Sequence, residues 1–366
     1  MCIWEWLMVM SLTQANLLAS ASLLVPSIYV FGDSTADVGT NNFLPKCGAK
    51  ANFPPYGIDY PGSKPTGRFS NGYNAIDIIA QFIGFKESPP PFLYLLNNDK
   101  SNFRRNVLMG ANFASGGAGL LNDTGKRTYG RVIPISEQIR QFKTIRDIHV
   151  RLLGSAAAEE RISKSLFLFS VGSNDIFEHF LYNQRKSSDP KKFINHLLYV
   201  YENHLKNLMS LGARRFGVMG ISPLGCCPIQ RVLSGNGGCL EAMNTYAQMF
   251  EDGLEVTLRK LSVHGVRMTY AYAKLYKSTY NIINYPRIFS FRDSKTACCG
   301  KGNIYNAEKP CKPDSNLCEN RKQNIFWDQF HPTEASYKLA ALALFGGGIN
   351  HVTPMNLNRI ISPSKN

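Results

Sequence analysis

The chain has 366 residues, of which 44% are hydrophobic, so it can bury a substantial core. Its formal net charge is +15 and its pI is about 9.4, but the basic residues are scattered along the chain in short clusters. Because no zinc-finger or RNA-binding signature accompanies this charge, we expect no nucleic-acid partner. A basic surface also suits contact with anionic cell-wall polymers or membrane surfaces.

The first 21 residues are typical of a signal peptide. An apolar stretch and a polar patch are followed by Ala19-Ser20-Ala21, which fits A-x-A cleavage. The segment lacks Lys and Arg and carries Glu5, which is atypical, and a cytosolic N-terminus is the alternative. We predict a signal peptide over 1–21, a single domain over 22–366 and a secreted, extracellular protein. We find no later stretch long and apolar enough to span a bilayer.

Strand-like and helix-like stretches alternate along the rest of the chain. Short apolar runs closed by glycine predict strands, and apolar positions at helical spacing predict helices. In chain order these are strand 27–31, helix 74–83, helix 136–153, strand 165–171, helix 190–211, strand 215–219, helix 240–261, strand 266–271 and helix 333–344. The alternation predicts a parallel sheet covered by helices on both faces. In such sheets, sites form at the carboxyl ends of the strands.

The cysteines also favour secretion. There are nine, and Cys2 would leave with the signal peptide. The eight others are Cys47, Cys226, Cys227, Cys239, Cys298, Cys299, Cys311 and Cys318. An even number fits disulfides in an oxidising compartment, although the sequence does not assign the pairing. A zinc site made of the last four is a weaker alternative, because adjacent cysteines suit a tetrahedral site poorly.

Two segments far apart in the sequence supply the parts of a serine hydrolase. Ser34 follows the first predicted strand, where Gly32 permits a tight exit of the backbone. A serine hydroxyl needs a base to become a nucleophile, and His331 can accept its proton near neutral pH. Asp328, three residues earlier, can fold back to hold the useful tautomer of the imidazole. A turn or helix cap is the alternative interpretation of the Gly-Asp-Ser tripeptide.

Two further segments offer hydrogen-bond donors for an oxyanion. Asn174 follows the second predicted strand, at the same edge of the sheet as Ser34, and its side-chain amide could face a developing negative charge. An Asx-turn or helix cap is the alternative. The small-residue loop at 112–119 contains Gly116 and Gly117, whose backbone N–H groups could approach the reacting centre. It lacks the Lys-Ser/Thr ending of a phosphate-binding loop, so we expect no nucleotide.

These segments, in this order, resemble a plant GDSL esterase/lipase of the SGNH hydrolase superfamily. The matching blocks are Gly32-Asp33-Ser34 with Asp37 and Asn41-Asn42, then Asn112 to Gly119, then Gly172 to Asp175, then Asp328 to His331. The segments 65–72 and 222–226 are also similar, and the resemblance covers about residues 27 to 352. One departure is Thr35, where the signature has leucine; we expect little consequence, because this position is not catalytic.

The resemblance implies a three-layer α/β/α, flavodoxin-like fold with a parallel central sheet. It also implies Ser34 as nucleophile, His331 as base and Asp328 as its partner. The oxyanion hole would comprise Ser34 N–H, Gly116 N–H and the Asn174 side chain, with Gly117 as the close alternative to Gly116. Asp33 is expected to brace its loop rather than to relay charge.

The resulting prediction is a secreted serine esterase or lipase that hydrolyses acyl esters through an acyl-enzyme, without metal or cofactor. Its substrate would be a small-molecule or lipid acyl ester. An acyltransferase using the same triad on a lipid, cutin or polysaccharide acceptor is the alternative, and a non-catalytic wall-binding protein is a weaker one. The sequon at Asn122 is a possible glycosylation site. The sequence leaves the oligomeric state and acyl chain length open.

Overall fold

The computed structural model describes residues 23–98, 102–183, 189–263 and 268–362. The predicted signal peptide lies outside these residues. A six-stranded sheet crosses the molecule in the order β10-β5-β4-β3-β1-β2. Its strands are β1 (Ile28–Gly32), β2 (Gly110–Asn112), β3 (Leu166–Ser170), β4 (Arg215–Met219), β5 (Thr269–Ala273) and β10 (Val352–Pro354). All neighbouring pairs are parallel except β10 with β5, so the predicted parallel sheet gains an antiparallel edge strand.

Four further strands lie between β5 and β10, in the cysteine-rich part of the chain. They are β6 (Asp293–Ala297), β7 (Cys299–Gly300), β8 (Asn316–Leu317) and β9 (Asn324–Phe326). β6 pairs with β9 in parallel, and β7 pairs with β8 in antiparallel orientation. These two small ladders stand apart from the main sheet and lead the chain towards the segment that carries Asp328 and His331.

The helices flank both faces of the main sheet. In chain order they are α1 (Ala75–Ile83), α2 (Phe92–Asn98), α3 (Phe103–Asn106), α4 (Lys126–Tyr129), α5 (Ile135–Leu153), α6 (Ser155–Lys164), α7 (Ser173–Asn183), α8 (Pro190–Ser210), α9 (Pro228–Leu233), α10 (Glu241–Val263), α11 (Leu275–Asn284), α12 (Glu334–Gly346) and α13 (Leu357–Ile361). Among the described residues, no helix combines the length and apolar character needed to cross a membrane.

Alternation along the strands divides the core into two layers. In β1 and β3, Tyr29, Phe31 and Phe167 pack with helices α5, α8 and α10 on one face. Their neighbours Ile28 and Val30 pack with α1, α12 and α13 on the other. Because successive side chains of a strand point to opposite faces, a sheet covered on both sides needs such nearly continuous apolar runs. The three-layer α/β/α prediction is confirmed.

The strand register lines up the carboxyl ends of the parallel strands. Gly32 of β1 pairs with Ser170 of β3, Ser170 pairs with Met219 of β4, and Met219 pairs with Ala273 of β5. The loops that leave these strands therefore start from one row at one edge of the sheet. The predicted functional segments after β1, β2 and β3 all emerge at this edge.

Candidate active site

Ser34 lies two residues beyond the end of β1, in a loop fixed by close backbone contacts. A Cβ atom on Gly32 would lie 2.4 Å from the backbone oxygen of Ser170, so only glycine fits there. Gln138, a buried residue of α5, accepts a hydrogen bond from Gly32 N–H at 2.9 Å and donates one to Gly32 C=O at 2.8 Å. This side-chain amide holds the backbone immediately before the serine.

His331 lies within hydrogen-bond distance of both Ser34 and Asp328. Its Nε2 atom is 2.8 Å from Ser34 Oγ, and its Nδ1 atom is 2.8 Å from each carboxylate oxygen of Asp328. The three residues predicted from two distant segments are thus brought together. In this arrangement an imidazole can remove the serine proton while the carboxylate fixes its orientation.

Asp328 is buried yet held in its charged form. Burial works to raise the pKa of its carboxyl, but the charge of His331 and hydrogen bonds from His331 and from backbone N–H groups outweigh burial, and the pKa lies below its usual value. The N–H groups of Phe330 and His331 donate to Oδ1 at 2.9 and 2.8 Å. The Tyr56 hydroxyl donates to Oδ2 at 2.7 Å. An ionised partner stabilises the imidazolium that forms when serine loses its proton.

The segment from 327 to 332, called here the base segment, is supported by the cysteine-rich region. Trp327 is fully buried beside Tyr56 and the half-cystines Cys298, Cys299 and Cys311. The backbone C=O of Trp327 accepts a hydrogen bond from Cys299 N–H at 2.6 Å. The backbone N–H of Trp327 donates to His331 C=O at 2.7 Å. Asp328 and His331 therefore lie on a short turn that is held by contacts with the cysteine-rich region.

The disulfides account for six of the eight expected cysteines. The pairs are Cys226–Cys239, Cys298–Cys318 and Cys299–Cys311. Thus the four cysteines of the zinc alternative form two disulfides instead. Cys47 and Cys227 are buried free thiols. Burial raises the pKa of Cys227 to about 12, so its thiol stays protonated near neutral pH.

Three candidate hydrogen-bond donors belong to residues that line one cavity: the Ser34 N–H, the Gly117 N–H and the Asn174 side chain. Asn174, in the first turn of α7, lines the cavity and donates one amide hydrogen to Ala118 C=O at 2.9 Å, which leaves its second amide hydrogen available. Among the described residues, neither Ser34 N–H nor Gly117 N–H donates to a protein acceptor. Gly117 also lines the cavity and has φ +81°, a conformation that favours glycine.

Gly116, the predicted glycine donor, is directed elsewhere. Its N–H donates to Asp37 Oδ2 at 2.9 Å, and this residue does not line the cavity. The Gly116 N–H is thus engaged by a carboxylate, whereas the Gly117 N–H has no protein acceptor among the described residues. The identity of the glycine donor stays a prediction, and Gly117, the close alternative, is the one that lines the cavity.

Residues 113–121, called here the donor loop, are held by two buried carboxylates. Asp37 accepts from Gly116 N–H near one end, and Asp175 accepts from Leu120 and Leu121 N–H at 2.9 and 3.0 Å near the other. Burial raises the pKa of Asp37 to about 6, although backbone N–H groups oppose this. Burial likewise raises the pKa of Asp175. Both side chains position the donor loop rather than contact the site.

Asp33 and Thr35 form a local network around the serine. Asp33 Oδ1 accepts from Thr35 N–H at 3.0 Å and from the Thr35 hydroxyl at 2.8 Å. The same hydroxyl lies 2.6 Å from Ser170 Oγ, at the end of β3. Asp33 therefore braces its loop, and Thr35 ties that loop to the neighbouring strand. Burial raises the pKa of Asp33 to about 6.

Three other histidines of the described residues contribute to packing. His149 and His204 are buried, with Nε2 atoms 3.3 and 3.2 Å from the backbone oxygens of Val107 and Leu120. His179 stacks on Phe193 with ring centroids 3.9 Å apart and does not line the cavity.

A cavity of about 580 Å³ opens at Ser34 and His331. Its walls include the donor loop, the base segment and apolar side chains of α7, α9, α11 and α12. The described residues contain no group of three or more His, Cys, Asp or Glu side chains arranged to hold a metal ion. A predominantly apolar pocket with a few convergent polar groups is typical of a small-molecule or lipid site.

Comparison with known proteins assigns the chain to a family. A family profile described as GDSL-like Lipase/Acylhydrolase matches residues 28–344. The chain belongs to the GDSL lipase/acylhydrolase family. In Arabidopsis thaliana, GDSL esterase/lipase At5g55050 is 38% identical over 92% of this chain and 90% of its own length. GDSL esterase/lipase 6 of the same plant is 36% identical over 93% of this chain and 91% of its own length.

Membership confirms the predicted resemblance and identifies an acylhydrolase that acts on carboxylic esters. Two residues of this GDSL site escaped the sequence analysis. Gln138 offered a signal, because it is a polar side chain on the apolar stripe of a helix that includes Ile135 and Phe142. Tyr56 offered none, because nothing near it in the sequence points to a partner 272 residues away.

Proposed function

We propose that this acylhydrolase works through Ser34, His331 and Asp328 and an acyl-enzyme on Ser34. The observation that carries the proposal is the chain of contacts from Ser34 Oγ to His331 Nε2 and from His331 Nδ1 to Asp328, each 2.8 Å long. Distances of this size fall within hydrogen-bond reach, as transfer of the serine proton to a base requires.

In the first step, His331 Nε2 takes the proton of Ser34 as Oγ attacks the ester carbonyl. The tetrahedral oxyanion would accept hydrogen bonds from Ser34 N–H, Gly117 N–H and the Asn174 amide. One such donor typically supplies about 3 kcal/mol of transition-state stabilisation. His331 then donates its proton to the leaving alcohol, and an ester of Ser34 remains.

In the second step, water replaces the alcohol at the same position. His331 removes a proton from this water, which attacks the acyl-enzyme through a second tetrahedral oxyanion. Ser34 Oγ recovers its proton from His331, and the carboxylic acid leaves. Asp328 remains ionised throughout, because its hydrogen bonds and the charge of His331 favour the carboxylate.

A chromogenic series from acetyl to long-chain esters, assayed with the wild type and Ser34→Ala, tests this proposal. We expect kcat to fall by about 10⁴-fold or more in Ser34→Ala. Ser210→Ala, at an exposed position at the end of α8, is the matched control. Wild-type rates in a folded Ser34→Ala protein would refute the assignment. Adding an alcohol acceptor and measuring the transfer product separates hydrolysis from the acyltransferase alternative.

We further propose that the protein is secreted after removal of residues 1–21, leaving one hydrolase domain, and is glycosylated at Asn122. Three disulfides and the exposed position of Asn122 support this. N-terminal sequencing of protein from the medium tests secretion, and the shift in mass between wild type and Asn122→Gln tests glycosylation.

The basic surface also supports contact with anionic wall polymers or membrane surfaces, which binding at low and high salt would reveal.

A further inference from the structure

The catalytic cavity extends past Ser34 and His331 into a slot between α11 and α12. Leu275, Thr279 and Ile282 of α11 line it, and so do Ser336, Ala340 and Ala343 of α12. On each helix the spacing is i, i+4, i+7, which places all three side chains on one face. The two helices therefore present matched faces to one continuous space.

The dimensions of the slot follow from the helix geometry. Between Ser336 and Ala343 the helix axis rises about 10 Å, because each residue contributes about 1.5 Å. Ser336, Ala340 and Ala343 are small and leave space along α12, although Tyr337 and Leu339 of the same helix also line the cavity. The slot begins at the start of α12, three residues beyond His331.

The walls of the slot are apolar. The α11 and α12 residues that line it include no Asp, Glu, Lys or Arg within the described ranges. The hydroxyl of Ser336 donates to Ile325 C=O at 2.8 Å, and that of Thr279 lies 3.4 Å from Ser222 Oγ. These two hydroxyls are thus engaged by the protein, whereas the buried hydroxyl of Tyr337 on α12 has no hydrogen-bond partner among the described residues. Because most of the lining is apolar, a ligand in the slot gains chiefly by removing hydrocarbon from water.

We propose that this slot binds a hydrocarbon chain of the ester, with Ala340 and Ala343 setting the chain length that fits. The proposal rests on the proposed function, because Ser34 defines the end of the slot at which the ester group lies. A charged chain would find no oppositely charged side chain on the two helices that line the slot. The chain can belong to the acyl or the alcohol part of the ester, and two substrates distinguish these sources.

The test narrows the slot and compares long with short substrates. Nitrophenyl octanoate carries its chain on the acyl side and octyl acetate on the alcohol side, with nitrophenyl acetate and ethyl acetate as short counterparts. Each methylene buried raises kcat/KM by about fourfold. For each pair we compare kcat/KM of the long ester with that of its short counterpart. We expect Ala343→Leu and Ala340→Leu each to lower this ratio at least tenfold in the pair whose chain enters the slot. Ile282→Ala should shift the preference towards longer chains.

Ala157→Leu is the matched control, because Ala157 is an exposed residue of α6 outside the cavity. Thermal unfolding checks that each variant is folded. The proposal would be overturned if the long-to-short ratio of kcat/KM stayed at the wild-type value for both substrate pairs in all three slot variants. These variants are Ala343→Leu, Ala340→Leu and Ile282→Ala.

A binding measurement keeps the slot separate from the catalytic assignment. Titration calorimetry measures the affinity of octanoate for Ser34→Ala and for the double variant that also carries Ala343→Leu. We expect octanoate to bind Ser34→Ala, and to bind the double variant at least tenfold more weakly. Equal affinity in both proteins would overturn the slot. Ester turnover that survives in Ser34→Ala would instead overturn the triad, while the affinity difference would still decide whether the slot binds the chain.

Discussion

The donor loop and the base segment meet at Ser34, but different interactions hold them. Buried carboxylates fix the donor loop, since Asp37 and Asp175 accept hydrogen bonds from its backbone N–H groups. Packing against disulfides fixes the base segment, where Trp327 is buried among half-cystines. One half of the site therefore depends on buried carboxyl groups that accept hydrogen bonds from its backbone, and the other on covalent cross-links beside it. The two halves should respond to different perturbations.

The largest contrast is expected between His331→Ala and Asn174→Ala. Loss of the base removes proton transfer in both steps, and kcat should fall by about 10⁴-fold or more. Loss of one oxyanion donor should cost only about 10²- to 10³-fold in kcat. Steady-state kinetics on one short ester measures both. An Asn174→Ala protein with wild-type kcat would exclude this side chain from the oxyanion hole.

Asp175→Asn should loosen the donor loop without touching the site. In the wild type, backbone N–H groups donate to the Asp175 carboxylate; in the variant they would face a side-chain amide. At least one buried donor would then be unpaired, which lowers the free energy of unfolding by about 1–3 kcal/mol. We expect a lower melting temperature together with about a tenfold fall in kcat. Asp123→Asn removes the same charge from an exposed side chain of the adjoining loop and is the control. A reduced melting temperature with unchanged kcat would show that the donor positions do not depend on Asp175.

Tyr56→Phe should perturb the base segment more mildly. The change removes the hydroxyl that donates to Asp328 Oδ2 but keeps the ring beside Trp327. A hydrogen bond worth about 1 kcal/mol in the transition state corresponds to about fivefold in kcat. Tyr129→Phe is the matched control, since Tyr129 lines the same cavity without contacting Asp328. Equal effects of the two substitutions would assign Tyr56 a packing role only.

The smallest effect concerns the pH dependence of stability. Burial raises the pKa of Asp37 from 3.8 to about 6, so the folded state binds its proton more tightly than the unfolded state. Its contribution to stability is therefore greatest below pH 4 and is lost as pH rises to about 6. The difference in melting temperature between wild type and Asp37→Asn should be larger at pH 4.5 than at pH 7.

Asp328 should behave in the opposite sense. Its folded-state pKa lies below 3.8, so its contribution is present above that value and is lost only as pH falls through the folded-state pKa. The difference between wild type and Asp328→Asn should stay level from pH 4.5 to pH 7. Calorimetry on the two pairs of proteins provides the comparison. If the two differences in melting temperature changed with pH in the same way, the pKa shift of one of these two carboxyl groups would have the wrong sign.

Much of the fold could be predicted because its main strands are buried on both faces. Such strands appear as continuous apolar runs, and the predicted strand 215–219 matches β4. The strands β2 and β10 were missed because each has three residues, too few to show a pattern. The predicted strand at 266–271 begins outside the described residues, and β5 is observed from 269 to 273.

The site was predictable where its chemistry lies in local motifs. Ser34, Asp328 and His331 were identified from their residue types and settings, and the structure brings them into contact. The choice between Gly116 and Gly117 depends on which N–H the Asp37 carboxylate engages, and the sequence contains no information on that long-range contact. The same reason explains why the Tyr56 contact could not be predicted.

The distance of 297 residues between the proposed nucleophile and its base has a consequence for biosynthesis. Ser34 is made early by the ribosome, whereas His331 follows after most of the chain. A nascent or prematurely terminated polypeptide therefore carries the serine without any group to activate it. On this assignment, reactivity towards esters arises only when the late segment folds back onto the finished sheet, so an incomplete chain should not hydrolyse esters.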